Sequence, residues 1–282
     1  MDGVPRFSVT ASSVNQDARY TRDYYLHTVR DFKSSFEPPV VELVDGITVV
    51  REDLLDVGSK ARLGEALISR IDEKTVVYVQ PRYGFAGVSL VKLCKMYQKK
   101  LVLFMPSSKE ISDHQAYVIE HGAEPHFHRI AAMPNLNLIA KKWAHDNGAF
   151  FVPLGLKHPL VTAMVIKTAM EIPEPSAFWT AFSTGVLNRG LQIAWPGATA
   201  FGVAVSRNIQ DGERGRAHIY SADRAFEQRE ASELRPPFPS CSNYDAKVWK
   251  FLIAGELFWN VAGEVVPTID KKLIKSERSW NQ

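Results

Sequence analysis

The sequence predicts an α/β fold built on parallel strands flanked by helices. Three observations carry that expectation. From about residue 47 onward, apolar strand-length runs alternate with segments of helical length. The run Thr75-Val76-Val77-Tyr78-Val79 is continuously apolar and rich in β-branched residues, as strands covered on both faces are. Helical segments stop at Gly122 and Gly148, and each glycine leads within a few residues into a new strand.

The elements follow in order. Residues 1–38 hold Tyr20, Tyr24 and Tyr25 with balanced charge; they read as an arm that packs on the body or on a partner subunit and ends at Pro38-Pro39. Residues 47–50 form a strand, and a helix starts at about Ala61. Residues 75–79, 101–105, 150–152 and 178–182 are further strands, with another after Gly122. Helices are expected over 87–97, 112–120, 136–146, 160–170 and from Leu187 on. Residues 207–240 carry six arginines, six acidic residues and the Pro236-Pro237-x-Pro239 stop, and read as an irregular excursion. The tail after Pro267 is basic, through Lys271, Lys272, Lys275 and Arg278.

The 282 residues are 45% hydrophobic, enough for one or two sizeable lobes. A net charge of +3 demands no acidic partner. Two cysteines, Cys94 and Cys241, give no disulfide framework and suit a reducing cytoplasm. Residues 1–5 have no apolar run, so no signal peptide is expected, and no window approaches the ~20 apolar residues of a membrane span. No G-x-G-x-x-G follows a strand, which argues against a nicotinamide dehydrogenase.

Lys60 lies where the strand 47–50 turns, through Gly58-Ser59, into a helix. A helix N-terminus and burial both disfavour the ammonium form, and a rigid neutral amine suits Schiff-base chemistry. The same placement also fits a solvated turn lysine. Ser183, Thr184 and Gly185 sit between a strand and a helix, where unpaired N–H groups favour an anion or a simple Ser/Thr cap. Asp245 is either a functional carboxylate or a cap on the apolar run that follows it. His121, His126 and His128 resemble a metal cluster but lie at an ordinary helix-to-strand junction, so no metal is expected. Lys92, Lys95 and Lys99 share one helical face, which serves as a solvated surface or a phosphate-backbone contact.

Four segments in register resemble fold-type II pyridoxal 5'-phosphate (PLP) enzymes. Arg51-Glu52-Asp53 with Gly58-Ser59-Lys60-Ala61-Arg62 resembles their K-R-E-D … G-N-K-x-R signature. Residues 152–160 resemble I-P-x-G-x-x-x-H-P-L, residues 183–191 the phosphate loop G-S-G-x-T-x-A-G-L, and Tyr244-Asp245-Ala246-Lys247 the run V-Y-E/T-G-K. The similarity spans roughly residues 40–260. The nearest subgroup is that of aminocyclopropane-carboxylate deaminase and D-cysteine desulfhydrase. The chain is also similar to short PLP enzymes carried by bacteriophages, some of which act in DNA hypermodification.

The resemblance implies a two-lobed fold, with a small lobe (65–158) inserted in a PLP-binding lobe (39–64 and 159–282) after the arm. It implies that Lys60 carries the cofactor and moves protons. Ser183, Thr184, Gly185, Val186 and Leu187 then hold the phosphate, and Asp245 faces the ring nitrogen. Tyr244 and Tyr83 act with Lys60 in catalysis; Arg82, Tyr83, Gly84, Phe85 and His158 meet the substrate. The chain departs from the family pattern in three places. Ser183 stands at the first glycine of the phosphate loop and Leu187 at a threonine. Gly84 and Phe85 replace the Ser-Asn-Gln or Ser-Asn-His that holds a substrate carboxylate, which fits decarboxylation better than ring-opening deamination.

The favoured expectation is a cytoplasmic, homodimeric PLP lyase, free of membrane, that decarboxylates an amino acid attached to a thymidine-type nucleotide in phage DNA. The alternatives are a free amino-acid deaminase or β-elimination lyase, and a non-catalytic nucleic-acid- or protein-binding descendant.

Overall fold

A computed structural model describes residues 21–129, 132–206, 209, 211–272 and 274. Tyr20 and the tail residues Lys275 and Arg278 lie outside them. Two sheets organise the chain. The larger joins β1 (Val41–Val44), β2 (Ile47–Arg51), β7 (Ala177–Phe182), β8 (Thr199–Ala204), β9 (His218–Ser221) and β10 (Leu257–Asn260) in the order β1-β2-β10-β7-β8-β9. Only the β1–β2 hairpin is antiparallel. The smaller, all parallel, joins β3 (Thr75–Val79), β4 (Lys100–Pro106), β5 (Glu124–His128) and β6 (Phe150–Phe151) in the order β5-β4-β3-β6. The smaller sheet is thus inserted between β2 and β7, as the sequence resemblance implies.

Helix α1 (Arg22–Thr28) docks the arm on the body. Thr21 caps it by accepting the Tyr24 N–H, and Tyr25 is buried. Helices α3 (Ala86–Met96), α4 (Asp113–Glu120) and α5 (Met133–Asp146) flank the smaller sheet, and α6 (Pro159–Ala169) and α7 (Val186–Ala194) flank the larger. Ser112 and Gln115 form a reciprocal capping box at α4, which is why this helix starts where the sequence placed it.

The helix that leads out of β2, α2 (Ser59–Ile68), is buried along nearly its whole length. Its burial forces two carboxylates into the interior. Glu65 accepts hydrogen bonds from the Ser34 hydroxyl at 2.6 Å, the Ser35 N–H at 3.0 Å and the Tyr97 hydroxyl at 2.9 Å. Glu52 pairs with Arg62 Nε at 3.1 Å, and Arg62 also donates to the Glu37 carbonyl. Burial pushes the Glu52 carboxyl up; Arg62 pulls it back.

Four strands, β1, β8, β9 and β10, go beyond the expectation. β10 has four residues, too few to show a period, yet all are buried because it lies between β2 and β7. β9 is an exposed edge strand without an apolar signature, so residues 207–240 read as irregular. β1, apart from Val44, is also an exposed edge. The apolar run after Asp245 forms two 3₁₀ turns, 245–247 and 249–251, rather than a continuous helix.

Of the three lysines expected on one helical face, Lys92 and Lys95 lie on α3 and Lys99 does not. Lys99 lies beyond α3 and donates to the carbonyls of Ile71 and Glu73 at 2.8 Å, and Lys100 pairs with Glu124 at 2.5 Å. His126 and His128 lie against Phe104, with ring centroids 4.9 and 5.3 Å away, and His121 stacks on Tyr117.

Arg62→Met strands the buried Glu52 carboxylate and is expected to lower the unfolding free energy by about 3–5 kcal/mol, read from urea midpoints. Adding Glu52→Gln should recover most of that loss. A neutral single variant would show that the pair carries no stabilising role.

Candidate active site

One cavity of about 260 Å³ opens where the C-terminal ends of five parallel strands converge. Lys60 follows β2, Pro81 to Phe85 follow β3, and Ser183 and Thr184 follow β7. Ser206 follows β8, and Val261 and Ala262 follow β10. The residues assigned from sequence to cofactor and catalysis, Lys60, Tyr83, Ser183, Thr184, Tyr244 and Asp245, all reach this wall.

Lys60 occupies the first turn of α2. The turn before it needs glycine: Gly58 has φ of +68°, and a Cβ there would meet the Val261 carbonyl at 2.8 Å. The Ser59 N–H donates to that same carbonyl at 2.8 Å, which ties α2 to β10. Lys60 Nζ lies 5.9 Å from the centroid of the Tyr244 ring. Burial holds its amine below the usual lysine range, against weaker pulls from Asp245 and Cys241.

Asp245 is fully buried, and neither carboxylate oxygen has a hydrogen-bond partner. It caps no helix. Burial pushes this carboxyl up to about 8. The amides of Val261 and Ala262, too poorly placed to count as hydrogen bonds, and Lys60 pull it the other way without overcoming desolvation. Burial likewise pushes the Tyr244 hydroxyl and the Cys241 thiol well above their ordinary ranges.

A smaller cavity of about 30 Å³ adjoins the first; Lys60, Gly155 and Thr184 line both. Gly185, Val186, Leu187 and Asn188 line its far side at the start of α7. Gly185, the residue before that helix, has φ of +72°. A Cβ on Gly155 would run into the Thr184 side chain, so the two loops close a cradle that only glycine leaves open. Ser183, standing where the family has glycine, accepts a hydrogen bond from the Ser206 hydroxyl at 2.7 Å.

The loop after β3 is held from within. Gln80 is fully buried; its Oε1 accepts the Gly87 N–H at 2.9 Å and its Nε2 donates to the Pro81 carbonyl at 2.9 Å and to that of Gly84. Gly84 and Phe85 line the cavity. Two residues expected at the substrate do not. Arg82 is not among the lining residues: its guanidinium donates to the Glu110 carbonyl at 3.1 Å, drawn there by α4. His158 caps α6 instead, its Nδ1 accepting the Leu160 N–H at 3.1 Å. Sequence reasoning missed Tyr78, Met133, Phe226 and Cys241 on the wall. None stands in a recognisable pattern; distant parts of the chain bring them together.

The architecture is that of the fold-type II PLP enzymes. A solved structure described as an ACC deaminase homologue matches with a TM-score of 0.71 at 15% identity, over 90% of this chain and 98% of that one. Threonine deaminase isoform 2 from Solanum lycopersicum matches at 0.64 and 13%, over 93% and 94%. Diaminopropionate ammonia lyase from Escherichia coli matches at 0.63 and 12%, over 90% and 89%. At such identities the likeness is one of fold. No protein-family model and no curated protein sequence matches the chain. Among the described residues, no helix is long and apolar enough to cross a membrane.

Asp245 makes stability depend on pH. An ordinary aspartate ionises near pH ~4, whereas the folded site keeps its proton until about 8. Across that interval the folded protein binds a proton the unfolded chain has released, so stability of the cofactor-free protein falls as pH rises. Asp245→Asn should flatten this fall, gaining several kcal/mol over wild type at about pH 8 and far less at about pH 4. Urea unfolding at both pH values decides it, and parallel curves for the two proteins would contradict the assignment.

Proposed function

We propose that this chain is a PLP-dependent lyase acting at the α-carbon of an amino acid or amino-acid-derived group. The observation that carries the reading is the buried carboxyl of Asp245, without a hydrogen-bond partner, in the same cavity as an amine that burial shifts toward its neutral form. A protein does not leave a carboxylate desolvated and unpaired without cost, and a protonated ring nitrogen is the partner that offsets it. Lys60 would hold the cofactor covalently. Ser183, Thr184, Gly185 and the start of α7 at Val186 and Leu187 would hold its phosphate, and Asp245 its ring nitrogen. Bound there, pyridoxal phosphate supplies the electron sink that carbanion chemistry requires.

The residues of the chain do the rest. Tyr244, half-buried beside Lys60, limits the positions that Nζ can take. Lys60 Nζ, which desolvation shifts toward its neutral form, exchanges the proton at the α-carbon. Pro81, Gly84 and Phe85 present an apolar wall where the related pattern carries carboxylate-holding side chains. A carboxylate facing such a wall is poorly stabilised relative to the neutral carbon dioxide that leaves it. This favours decarboxylation, with the C–C bond breaking, carbon dioxide leaving, and Lys60 giving to the carbon a proton it has taken from the substrate's ammonium group. The version we favour takes an amino acid carried on a thymidine-type nucleotide in phage DNA. Free amino-acid elimination is the second reading, favoured by the deaminases and lyase among the solved structures of similar fold.

Two measurements test this. Purified wild type given pyridoxal phosphate should show a protein-bound absorption band that Lys60→Ala lacks, and borohydride should fix the cofactor to the Lys60 peptide. No band with excess cofactor would overturn the enzyme reading. Incubation with nucleosides bearing a C5-linked amino acid should release carbon dioxide and leave an amine. Ammonia and a 2-oxo acid from free amino acids would establish elimination instead.

A further inference from the structure

Residues 223–229 form an exposed run from which one side chain, Phe226, turns inward. It lines the cavity, its ring edge-on to Tyr83 at 6.1 Å and to Tyr244 at 6.4 Å between centroids. Within the run, Ala225 and Gln228 close a turn around it, the Gln228 N–H donating to the Ala225 carbonyl at 3.0 Å. Three hydrogen bonds from the Tyr244–Asp245 segment direct it inward. Lys247 Nζ donates to the carbonyls of Arg224 at 3.2 Å and Ala225 at 2.8 Å, and Asn243 Nδ2 donates to that of Phe226 at 3.1 Å. Lys247 is fully buried and Asn243 nearly so. A desolvated ammonium that points at two successive main-chain carbonyls fixes the backbone it touches.

From the other sheet, Tyr83 leaves the end of β3 and rests edge-on against His114 at 6.4 Å. Pro81, Phe85 and Met133 extend the same wall. Among the described lining residues only Lys60 and Asp245 carry charge, and the cofactor assignment takes both. None of these residues is left as a counter-ion for a charged group on the substrate; the Arg82 guanidinium, 5.4 Å from the centre of the Tyr83 ring, donates to the Glu110 carbonyl.

We propose that Phe226 and Tyr83 form an aromatic mouth that selects substrates with an uncharged, planar distal group, and that Lys247 and Asn243 position Phe226. This rests on the reading of the cavity as the active site. It names the substrate class more narrowly: aromatic or heterocyclic side groups over acidic or basic ones. Edge and face contacts with two rings favour a flat partner, and a charge placed between them would be desolvated without compensation.

Calorimetric titration of the cofactor-loaded protein with L-phenylalanine, L-leucine, L-glutamate and L-lysine tests the proposal. Phenylalanine should bind about tenfold or more tighter than glutamate or lysine. Phe226→Ala should weaken phenylalanine about tenfold and leave glutamate within about twofold, with Phe226→Leu between. Lys247→Met should weaken phenylalanine too, and combining it with Phe226→Ala should add nothing, the signature of one residue acting through another. If Lys247→Met does not fold, the two Phe226 variants decide. Equal binding of all four ligands, or an equal loss for all four in Phe226→Ala, would overturn the proposal. Failure to take up pyridoxal phosphate would sink the enzyme reading alone. Indole binding by the cofactor-free protein, and its loss in Phe226→Ala, would then still decide the mouth.

Discussion

The site is arranged around two desolvated groups, a lysine amine and a carboxyl, that do not hydrogen-bond to each other. Lys60 and Asp245 share one cavity without a hydrogen bond between them. Each is pushed by burial toward its neutral form. A direct ion pair would be the cheaper solution for stability. Holding the groups apart requires rigid supports on both sides. Lys60 has them in the buried helix α2 and the Ser59–Val261 tie; Asp245 has them in a short 3₁₀ turn that packs against β7, held beyond β10 by the Cys241 N–H donating to the Ala262 carbonyl.

The supports are themselves unusual. α2 carries Glu65 and Arg62 into the interior, and each is satisfied by partners from distant parts of the chain. Replacing these with apolar residues would pack as well, but would free the helix to rotate. Directional bonds fix its rotation, and with it the direction in which Lys60 points. The same logic recurs at Gln80, whose amide closes the substrate loop on itself. It recurs again at Lys247, which fixes a loop rather than a ligand.

Much of this was legible in the sequence where a local signal exists. The β-branched run 75–79 and the glycine stops at Gly122 and Gly148 marked the smaller sheet well, because buried parallel strands and helix ends are set by neighbouring residues. Lys60, Ser183, Thr184 and Asp245 were found through motifs with a fixed local spacing. β10 and Phe226 were not, for one reason: their roles come from what lies across the fold. Four apolar residues show no period, and a phenylalanine in a polar loop looks like any other. Arg82 and His158 show the opposite error. Each has the right chemistry for a substrate, but Glu110 and the start of α6 claim them first.

The position of β10 has a consequence for how the protein is made. This strand enters between β2 and β7, with Leu257 opposite Thr48 on one side and Phe178 on the other. Until it arrives, β2 and β7 are not joined, and the Val261 carbonyl that ties the start of α2 is missing. Contacts between such distant residues repay their loop-closure entropy late in folding. A chain emerging from the ribosome would therefore complete the smaller sheet long before it owned a site. Lys60 is therefore made long before Val261, whose carbonyl ties its helix in place.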